Sequence, residues 1–385
     1  MPGWELIDNK EKKNLIEIFS QSNGVMFAHG FDKRRNNIFR VRNFEKAIAR
    51  FLKVKYCVAT TSGTMAQYVA LKALGIKMGD EVMTQAFTFV ATAESSIEAG
   101  AKLNIINIDE TLNIDLKELK RSITKKTKVL VTVPMLGNPC NIYEIKKITK
   151  KFNVKILEDA CESLGAKYKK KYVGTVGDVG IFSLDFAKTI TTGEGGLIVT
   201  NSKKIYKFCS QYIDHGHENN PKFLRGKDTR KFHGLNLRMT ELQAAVGIAQ
   251  LKKMKLILKK NKNNKNLLKK MISNNKNINF RIILDKEELS DTLIFFLENK
   301  QKALNFSKLF LKYGYSTKNL PDAIDWHFAG KWKHMRKFII NKDKTFKPSK
   351  NLLERAIAIP IFIKDTEKKI KKLALTINKI LAKIN

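Results

Sequence analysis

Lys188 has the sequence setting that most favours covalent chemistry. It lies between an apolar run at 180–184 and a glycine-rich turn at 193–196, and residues 180–200 contain no other lysine. A lysine in a partly desolvated site has a lowered pKa, and its neutral amine attacks carbonyl groups to form a Schiff base. Most lysines of this chain are better explained as solvated loop or surface residues. We predict that Lys188 is instead a nucleophile.

Three further segments carry groups that complement such a lysine. Residues 60–64, Thr-Thr-Ser-Gly-Thr, open a helical pattern after an apolar run, so their N–H groups form either an anion site or an ordinary helix N-cap. Asp159 ends another apolar run, where a carboxylate is either an N-cap or the partner of a cationic ligand atom. Asn236 and Arg238 directly precede a long helical pattern. An anion site, a Schiff-base lysine and a carboxylate for a ring nitrogen together describe a pocket for pyridoxal 5′-phosphate (PLP).

These motifs resemble those of the DegT family of PLP-dependent sugar aminotransferases. The matching segments are Glu-Asp-Ala-Cys-Glu at 158–162, Lys-Thr-Ile-Thr-Thr-Gly-Glu-Gly-Gly at 188–196 and Gly-Leu-Asn-Leu-Arg-Met at 234–239, and the resemblance runs from Pro2 to residues 357–361. It implies an α/β fold of the aspartate aminotransferase type (PLP fold type I). Such a fold has a large domain with a mixed, mostly parallel sheet and a smaller C-terminal α+β domain. The resemblance also implies a homodimer with shared active sites.

The resemblance assigns roles to individual residues. Lys188 would form the aldimine with PLP and move the proton during transamination, and Asp159 would pair with the pyridine nitrogen. The other implied cofactor contacts are Gly63 and Thr64 at the phosphate, Phe89 on the ring face, Glu162 beside the O3′ atom, Ser183 through its hydroxyl, and Asn236 reaching the phosphate from the partner subunit.

The chain departs from the family pattern at two positions. Some members carry Gln where this chain has Glu162, which leaves open whether a carboxylate beside a phenolate oxygen is protonated. Gln85 replaces a common Pro, which leaves the geometry of the turn before Phe89 open. Relatives that dehydrate sugars carry His in place of the catalytic lysine, so the presence of Lys188 favours transamination.

Four segments bear on the acceptor sugar. Residues 1–6, 37–43, 214–218 and 325–334 are most similar to those of 8-amino-3,8-dideoxy-octulosonate transaminases, which aminate an oxidised octulosonate for lipopolysaccharide with glutamate as donor. The alternative is the commoner family activity, amination of a nucleotide-linked 4-keto-6-deoxyhexose, as in perosamine synthases. Both acceptors are anionic, so the basic charge of the chain does not decide between them. The segment similarities favour the octulosonate by a small margin.

The elements that position these residues follow from the hydrophobic pattern. Apolar, β-branched runs alternate with segments of helical period, which indicates a largely parallel sheet covered by helices on both faces. The predicted strands are 56–60, 81–84, 103–108, 129–133, 154–158 and 196–200, and the predicted helices are 64–74, 93–99, 116–123 and 142–152. Ligands bind at the carboxyl ends of such strands, where the candidate residues lie.

A change in composition indicates the domain boundary. A long amphipathic helix over 240–257 is followed by a Lys/Asn-rich stretch, so we predict a PLP-binding large domain with an N-terminal arm or lid at 1–255 and a small domain at 256–385. The elements predicted for the small domain are strands at 277–284 and 292–297 and helices at 302–312 and 366–384.

Composition excludes several classes of protein. The 385 residues contain no apolar run of membrane-spanning length and no secretory signal, so we predict a cytoplasmic protein with no membrane partner. The net charge of +37, from 73 Lys+Arg and 36 Asp+Glu, is spread over Lys/Asn-rich segments, and we interpret it as a surface bias. The competing hypothesis is a nucleic-acid-binding protein that lost catalysis. Intact Lys188 and Asp159 argue against it, and we predict no nucleic-acid partner.

The remaining candidate residues are cysteines, histidines and tryptophans. The four cysteines form no Cys-x-x-Cys pair, which argues against a zinc ribbon or a disulfide framework. His215, His217 and His233 lack nearby thiols, and we predict no metal site. Residues 326–334, which contain Trp326, Trp332 and His334, form either a sugar-binding wall or a core aromatic cluster.

Overall fold

The computed structural model describes residues 3–220 and 222–384. Met1 and Pro2, where the family resemblance begins, and Asn385, which ends the predicted small domain, lie outside the described residues. The α-helices are α1 (Asn9–Ser22), α2 (Arg40–Leu52), α3 (Gly63–Ala73), α4 (Ala91–Glu98), α5 (Leu116–Ser122), α6 (Ile142–Lys150), α7 (Lys203–Tyr212), α8 (Glu241–Leu251), α9 (Met254–Ile272), α10 (Lys300–Lys312), α11 (Ile324–His327), α12 (Lys347–Leu353) and α13 (Glu367–Lys383). The strands are β1 (Tyr56–Thr60), β2 (Glu81–Gln85), β3 (Lys102–Ile106), β4 (Thr127–Thr132), β5 (Lys155–Asp159), β6 (Lys167–Tyr168), β7 (Lys171–Tyr172), β8 (Val179–Ser183), β9 (Gly196–Thr200), β10 (Asn279–Phe280), β11 (Thr292–Phe296) and β12 (Ala356–Pro360).

A seven-stranded mixed sheet forms the centre of the large domain, in the order β1-β9-β8-β5-β4-β2-β3. Strands β3, β2, β4, β5 and β8 run parallel, whereas β9 is antiparallel to both β8 and β1. Helices cover both faces, and the apolar runs of the strands are buried between them. The predicted α/β class with a mostly parallel sheet is confirmed.

The helix predicted over 240–257 is two helices. A capping box between Thr240 and Gln243 starts α8, which ends at Leu251, and α9 begins at Met254. Lys253 lies at the break, where its buried ammonium donates to Glu11 Oε1 at 2.7 Å. The hydrophobic period continues across the break, so the sequence pattern alone predicted one helix.

The small domain contains the antiparallel sheet β10-β11-β12, covered by α10, α13 and the C-terminal half of α9. The strand predicted at 277–284 is only two residues long, because Ile282 N turns away from β11 and donates to Glu110 O at 3.3 Å. Arg281 still donates from its backbone N to Ile294 O of β11 at 3.0 Å. Its buried guanidinium donates to Thr111 O and to Met135 O, both at 2.7 Å. The predicted boundary at 255/256 falls inside α9, which contributes Met254 to the large-domain core and Leu268 to the small-domain core.

Two segments outside these sheets pack against the large domain. Helix α1 lies on α8, where Asn14 Nδ2 donates to Ala245 O at 2.9 Å. Residues 328–353, which fall in the predicted small domain, contribute Phe328 and Trp332 to the core beside the large sheet. Across the described part of the chain, no helix is long and apolar enough to cross a membrane.

Candidate active site

The start of α3 meets the ends of β5 and β8 at the carboxyl edge of the parallel strands. Ser62 is the N-cap of α3, and its hydroxyl accepts from Met65 N at 3.1 Å. A Cβ atom on Gly63 would lie 2.8 Å from Ser183 Cβ and 3.1 Å from Cys161 Sγ, so only glycine fits here without a shift. The first N–H groups of a helix have no partner within the helix and bind anions. The predicted phosphate residues Gly63, Thr64 and Ser183 therefore lie around one helix N-terminus.

Asp159 is the last residue of β5 and is only 5% exposed. Its Oδ2 accepts from Thr92 Oγ1 at 2.8 Å, and its Oδ1 accepts from Cys161 N at 3.3 Å. Burial raises the pKa of this carboxyl group, although these hydrogen bonds and Lys188 oppose the effect. A buried carboxylate of this kind favours a cationic partner, as a protonated ring nitrogen would be. Sequence reasoning missed Thr92, whose one local signal is its place three residues after Phe89.

Lys188 lies opposite Glu162, with 3.7 Å between Nζ and Oε1. The lysine side chain is 17% exposed, and Glu162 Oε2 also accepts from Leu136 N at 3.1 Å. Burial is the largest single influence and lowers the pKa of Lys188, but Glu162 and the other acidic groups nearby, Cys161, Asp185 and Asp159, together outweigh it, and the pKa is raised. The predicted lowering of this pKa is therefore wrong for the cofactor-free protein.

Glu162 is ionised in this arrangement. Burial raises its pKa, but the charges of Lys188, Lys318 and His327 together lower it below the ordinary value. The protonation state that the sequence left open is thus that of a carboxylate facing an ammonium. Lys188 must lose its proton before its amine can attack a carbonyl group.

Phe89 follows β2 and is 43% exposed. The backbone beside it is held by Thr88 N, which donates to His327 O at 3.0 Å, and by Val90 N, which donates to Trp326 O at 2.9 Å. Before it, Gln85 Nε2 donates to Phe87 O at 2.7 Å and holds the turn where relatives have Pro. These contacts fix the backbone on both sides of Phe89, and its predicted place on the ring face of PLP stays a prediction.

Residues 326–334 were predicted to form either a sugar-binding wall or a core aromatic cluster, and each interpretation applies to a different tryptophan. Trp332 is 2% exposed and belongs to the core. Trp326 is 61% exposed and lies parallel to Phe89, with ring centroids 6.4 Å apart and an interplanar angle of 14°. His334 is exposed. Only Trp326 is therefore placed beside the candidate site.

Asn236 lies outside the hydrogen-bonded part of the site. It is exposed and pairs with Asp214 in an antiparallel bridge, and within the described chain it makes no hydrogen bond to the other predicted site residues. Asp214 is buried and accepts from Arg238 at 2.6 Å and from Arg225 at 2.9 Å, with His29 at 3.3 Å. The two arginines hold the loop that carries Asn236 through this carboxylate. Its predicted contact with a partner subunit stays a prediction.

His217 pairs with Asp228, with 3.7 Å between Nδ1 and Oδ2. His215 adopts a left-handed backbone conformation next to it, with φ at 56°. In the ranges 3–220 and 222–384, no group of three or more His, Cys, Asp or Glu side chains could hold a metal ion.

Replacement of His29 by glutamine is expected to reduce the acid sensitivity of the protein. Burial lowers the pKa of His29 to about 4, with Arg225, Arg238 and Arg42 acting in the same direction and Asp214 opposing them. Between pH 6.5 and 4 the unfolded chain binds this proton and the folded protein does not, so stability falls as the pH falls. Between pH 6.5 and 4.5, the free energy of unfolding of the variant should fall by roughly 2 kcal/mol less than that of the wild type. Urea unfolding across this range measures it, with exposed His334→Gln as control; equal slopes for all three proteins would contradict the assignment.

The site fits PLP on the chemistry of its donor set. The start of α3 and Ser183 would hold a phosphate, the buried carboxylate of Asp159 would hold a cationic ring nitrogen, Phe89 would cover a ring face, and Lys188 would hold the aldehyde carbon. The tight approach of Gly63 to Ser183 brings two of these elements together.

Comparison with known proteins identifies the relatives of the chain. A model of the DegT/DnrJ/EryC1/StrS aminotransferase family matches residues 35–378. The chain is 35% identical over 237 residues to the GDP-perosamine synthase of Escherichia coli O157:H7, covering 60% of this chain and 63% of that protein. It is 35% identical over 285 residues to the GDP-4-keto-6-deoxy-D-mannose 3-dehydratase of Yersinia pseudotuberculosis, covering 69% and 70%. The solved aminotransferase from Psychrobacter cryohalolentis superposes with a TM-score of 0.86 at 25% identity, covering 99% and 98%.

The structural match extends further than the sequence match. The alignment with the perosamine synthase spans 63% of that protein, which is less than two thirds, whereas the superposition on the Psychrobacter enzyme covers 98% of its chain. The predicted fold of the aspartate aminotransferase type is confirmed.

Proposed function

Because this chain belongs to the DegT/DnrJ/EryC1/StrS aminotransferase family, we propose that it is a PLP-dependent aminotransferase that moves an amino group from glutamate to a nucleotide-linked keto sugar. The observation that carries the proposal is the placement of Lys188 and Asp159 in one buried site at the carboxyl ends of parallel strands. We also propose that the enzyme works as a homodimer, in which exposed Asn236 reaches the partner's site.

The residues of this chain divide the work as follows. When bound, PLP supplies an electron sink for negative charge that develops on the substrate carbon. Asp159 keeps the ring nitrogen protonated, and the Thr92 hydroxyl and Cys161 N–H fix the carboxylate that does so. In the donor half-reaction, Lys188 Nζ would take the proton from the carbon that loses the amino group. In the acceptor half-reaction, it would donate a proton to the carbon that gains the amino group. Glu162 holds the Lys188 ammonium whenever that side chain is free.

A GDP-linked 4-keto-6-deoxyhexose is the acceptor we favour. The relatives named GDP-perosamine synthase and GDP-4-keto-6-deoxy-D-mannose 3-dehydratase support a GDP-sugar. The octulosonate predicted from four short segments has no support among these relatives. It stays a second candidate because one of those segments, 325–334, places Trp326 beside Phe89.

The acceptor is identified by the absorption spectrum of the pyridoxamine-loaded protein. We expect the visible absorbance of bound PLP to return when a GDP-linked 4-keto-6-deoxyhexose is added, because the acceptor takes the amino group from the cofactor. Return only with an 8-oxo-octulosonate would support lipopolysaccharide octulosonate modification instead. If neither acceptor restores the absorbance, the proposed acceptor class is wrong.

Replacement of Glu162 by glutamine is expected to allow cofactor attachment at lower pH. The Glu162 carboxylate stabilises the Lys188 ammonium, whereas attachment needs the neutral amine. Loss of the ion pair should move the midpoint for attachment down by about one pH unit. Borohydride reduction followed by peptide mass measurement gives the attached fraction at each pH. The control is Glu194→Gln, an exposed glutamate in the glycine-rich turn after Lys188. An unchanged midpoint in the Glu162 variant would exclude this role.

A further inference from the structure

The 3₁₀-helix Gly3–Leu6, here called the strap, lies directly against the loop that carries Lys188. Gly3 N donates to Lys188 O at 3.0 Å. A Cβ atom on Gly3 would lie 2.7 Å from Lys188 O and 2.9 Å from Thr191 N. Both neighbours are backbone atoms, which cannot move aside without shifting the loop. The strap therefore approaches the lysine at a distance that only glycine permits.

The lysine loop, residues 185–191, is buried at its C-terminal end by Thr189, Ile190 and Thr191, and the residues before them have fewer restraints. Phe186 and Ala187 are exposed, and Lys188 N donates to Asp185 O within the loop itself. In the portion of the chain described here, the backbone hydrogen bonds of this loop have partners within residues 183–193, except for the bond from Gly3. Within the described residues, Gly3 thus gives this loop its one backbone hydrogen bond to a segment outside residues 183–193.

An aromatic pair reinforces this contact. The rings of Trp4 and Phe186 stack with centroids 6.0 Å apart and an interplanar angle of 17°. Both rings are partly exposed, at 42% and 55%. Stacked aromatic pairs of this geometry contribute stability beyond the area they bury.

The other end of the strap is attached to residues 363–364, between β12 and α13. Glu5 is 4% exposed, and its two carboxylate oxygens accept from Ile363 N at 3.2 Å and from Lys364 N at 3.0 Å. These residues follow β12. Leu6 O also accepts from the ammonium of Lys253, which joins α8 to α9. A buried carboxylate is stable only with such partners, so the attachment is specific.

We infer that the strap is a positioning element that couples the place of Lys188 to the segment that joins β12 to α13, through the Gly3 contact with the lysine loop and the Glu5 contact with residues 363–364. The consequence for PLP attachment rests on the proposed function, whereas the mechanical link does not. Gly3, Trp4 and Glu5 are accordingly positioning residues, because they act through Lys188 and lie on a separate element.

Hydrogen exchange of the cofactor-free full chain tests the link. Gly3→Ala should raise amide exchange across residues 185–191 by about fivefold, which corresponds to the loss of one ordinary hydrogen bond. Gly226→Ala is the matched control, since Gly226 has no neighbour within 4 Å of a Cβ and no positive φ. Glu5→Gln should raise exchange both in residues 185–191 and around 363–364, and it carries the test if Gly3→Ala does not fold.

Cofactor attachment separates positioning from simple stability. When PLP is added, borohydride should trap a smaller fraction of the bound PLP on Lys188 in Gly3→Ala than in the wild type. Gly226→Ala should match the wild type. Exchange in residues 185–191 equal to that of the control would overturn the strap. If Gly3→Ala shows the exchange difference but the wild type never binds PLP, the proposed function is overturned and the strap is still supported.

Discussion

Replacement of Lys188 by alanine is expected to remove both covalent cofactor attachment and turnover. The amine is the group that would hold the PLP aldehyde, and it is also the group placed to move the proton at the substrate carbon. Loss of a positioned acid–base group alone lowers a rate by up to about 10⁴-fold, and we expect at least this loss. Steady-state kinetics and borohydride trapping measure the two effects separately.

The control for this change is Lys204→Ala, which removes an exposed lysine from α7. It keeps the change in side chain and in net charge while leaving the site intact, so its activity should match the wild type. Residual turnover of Lys188→Ala within tenfold of this control, by the same acid–base reasoning, would exclude Lys188 as the catalytic lysine.

Replacement of Asp159 by asparagine should produce an enzyme that is less active and more stable. An amide cannot keep the ring nitrogen protonated, and loss of one such electrostatic contact lowers turnover by about 10²–10³-fold. In the cofactor-free protein, burial raises the pKa of Asp159, which means that its charge opposes folding at neutral pH. The nearly isosteric amide removes this charge. The melting temperature of the cofactor-free variant should therefore rise.

Thr92→Val separates the charge of Asp159 from its orientation. The variant keeps the carboxylate but removes the hydroxyl that donates to Oδ2 at 2.8 Å. We expect a smaller loss of turnover, about tenfold, and no gain in stability, because a buried acceptor loses its partner. If Asp159→Asn retains normal turnover, the carboxylate does not serve the ring nitrogen.

Local patterns were sufficient for the sheet and for its chemistry-bearing ends. Buried parallel strands are continuous apolar runs, so Asp159 could be placed at a strand end from the sequence, whereas Ser183 was implied only by the family resemblance. The small-residue turn at 60–64 likewise predicted the start of α3. Lys188 could be distinguished from the many surface lysines because residues 180–200 contain no other lysine.

Features that depend on distant residues were not predictable in this way. Glu162 is the strongest of the groups that raise the pKa of Lys188, yet it precedes the lysine by 26 residues and reaches it only in the folded sheet. Trp326 and Trp332 have similar surroundings in sequence, yet packing buries one and exposes the other. The strap could only be found from the fold, because Gly3 meets Lys188 across most of the large domain's sequence.

The donor half-reaction tests the central claim most directly. Protein loaded with PLP is mixed with glutamate or glutamine without any acceptor, and the visible absorbance is followed while the oxo acid product is measured. The account predicts that the absorbance of bound PLP disappears as one equivalent of oxo acid forms for each occupied site, and that Lys188→Ala does neither. Failure of the wild type to bind PLP, or bound PLP that neither amino acid converts, would contradict the assignment of this chain as an aminotransferase.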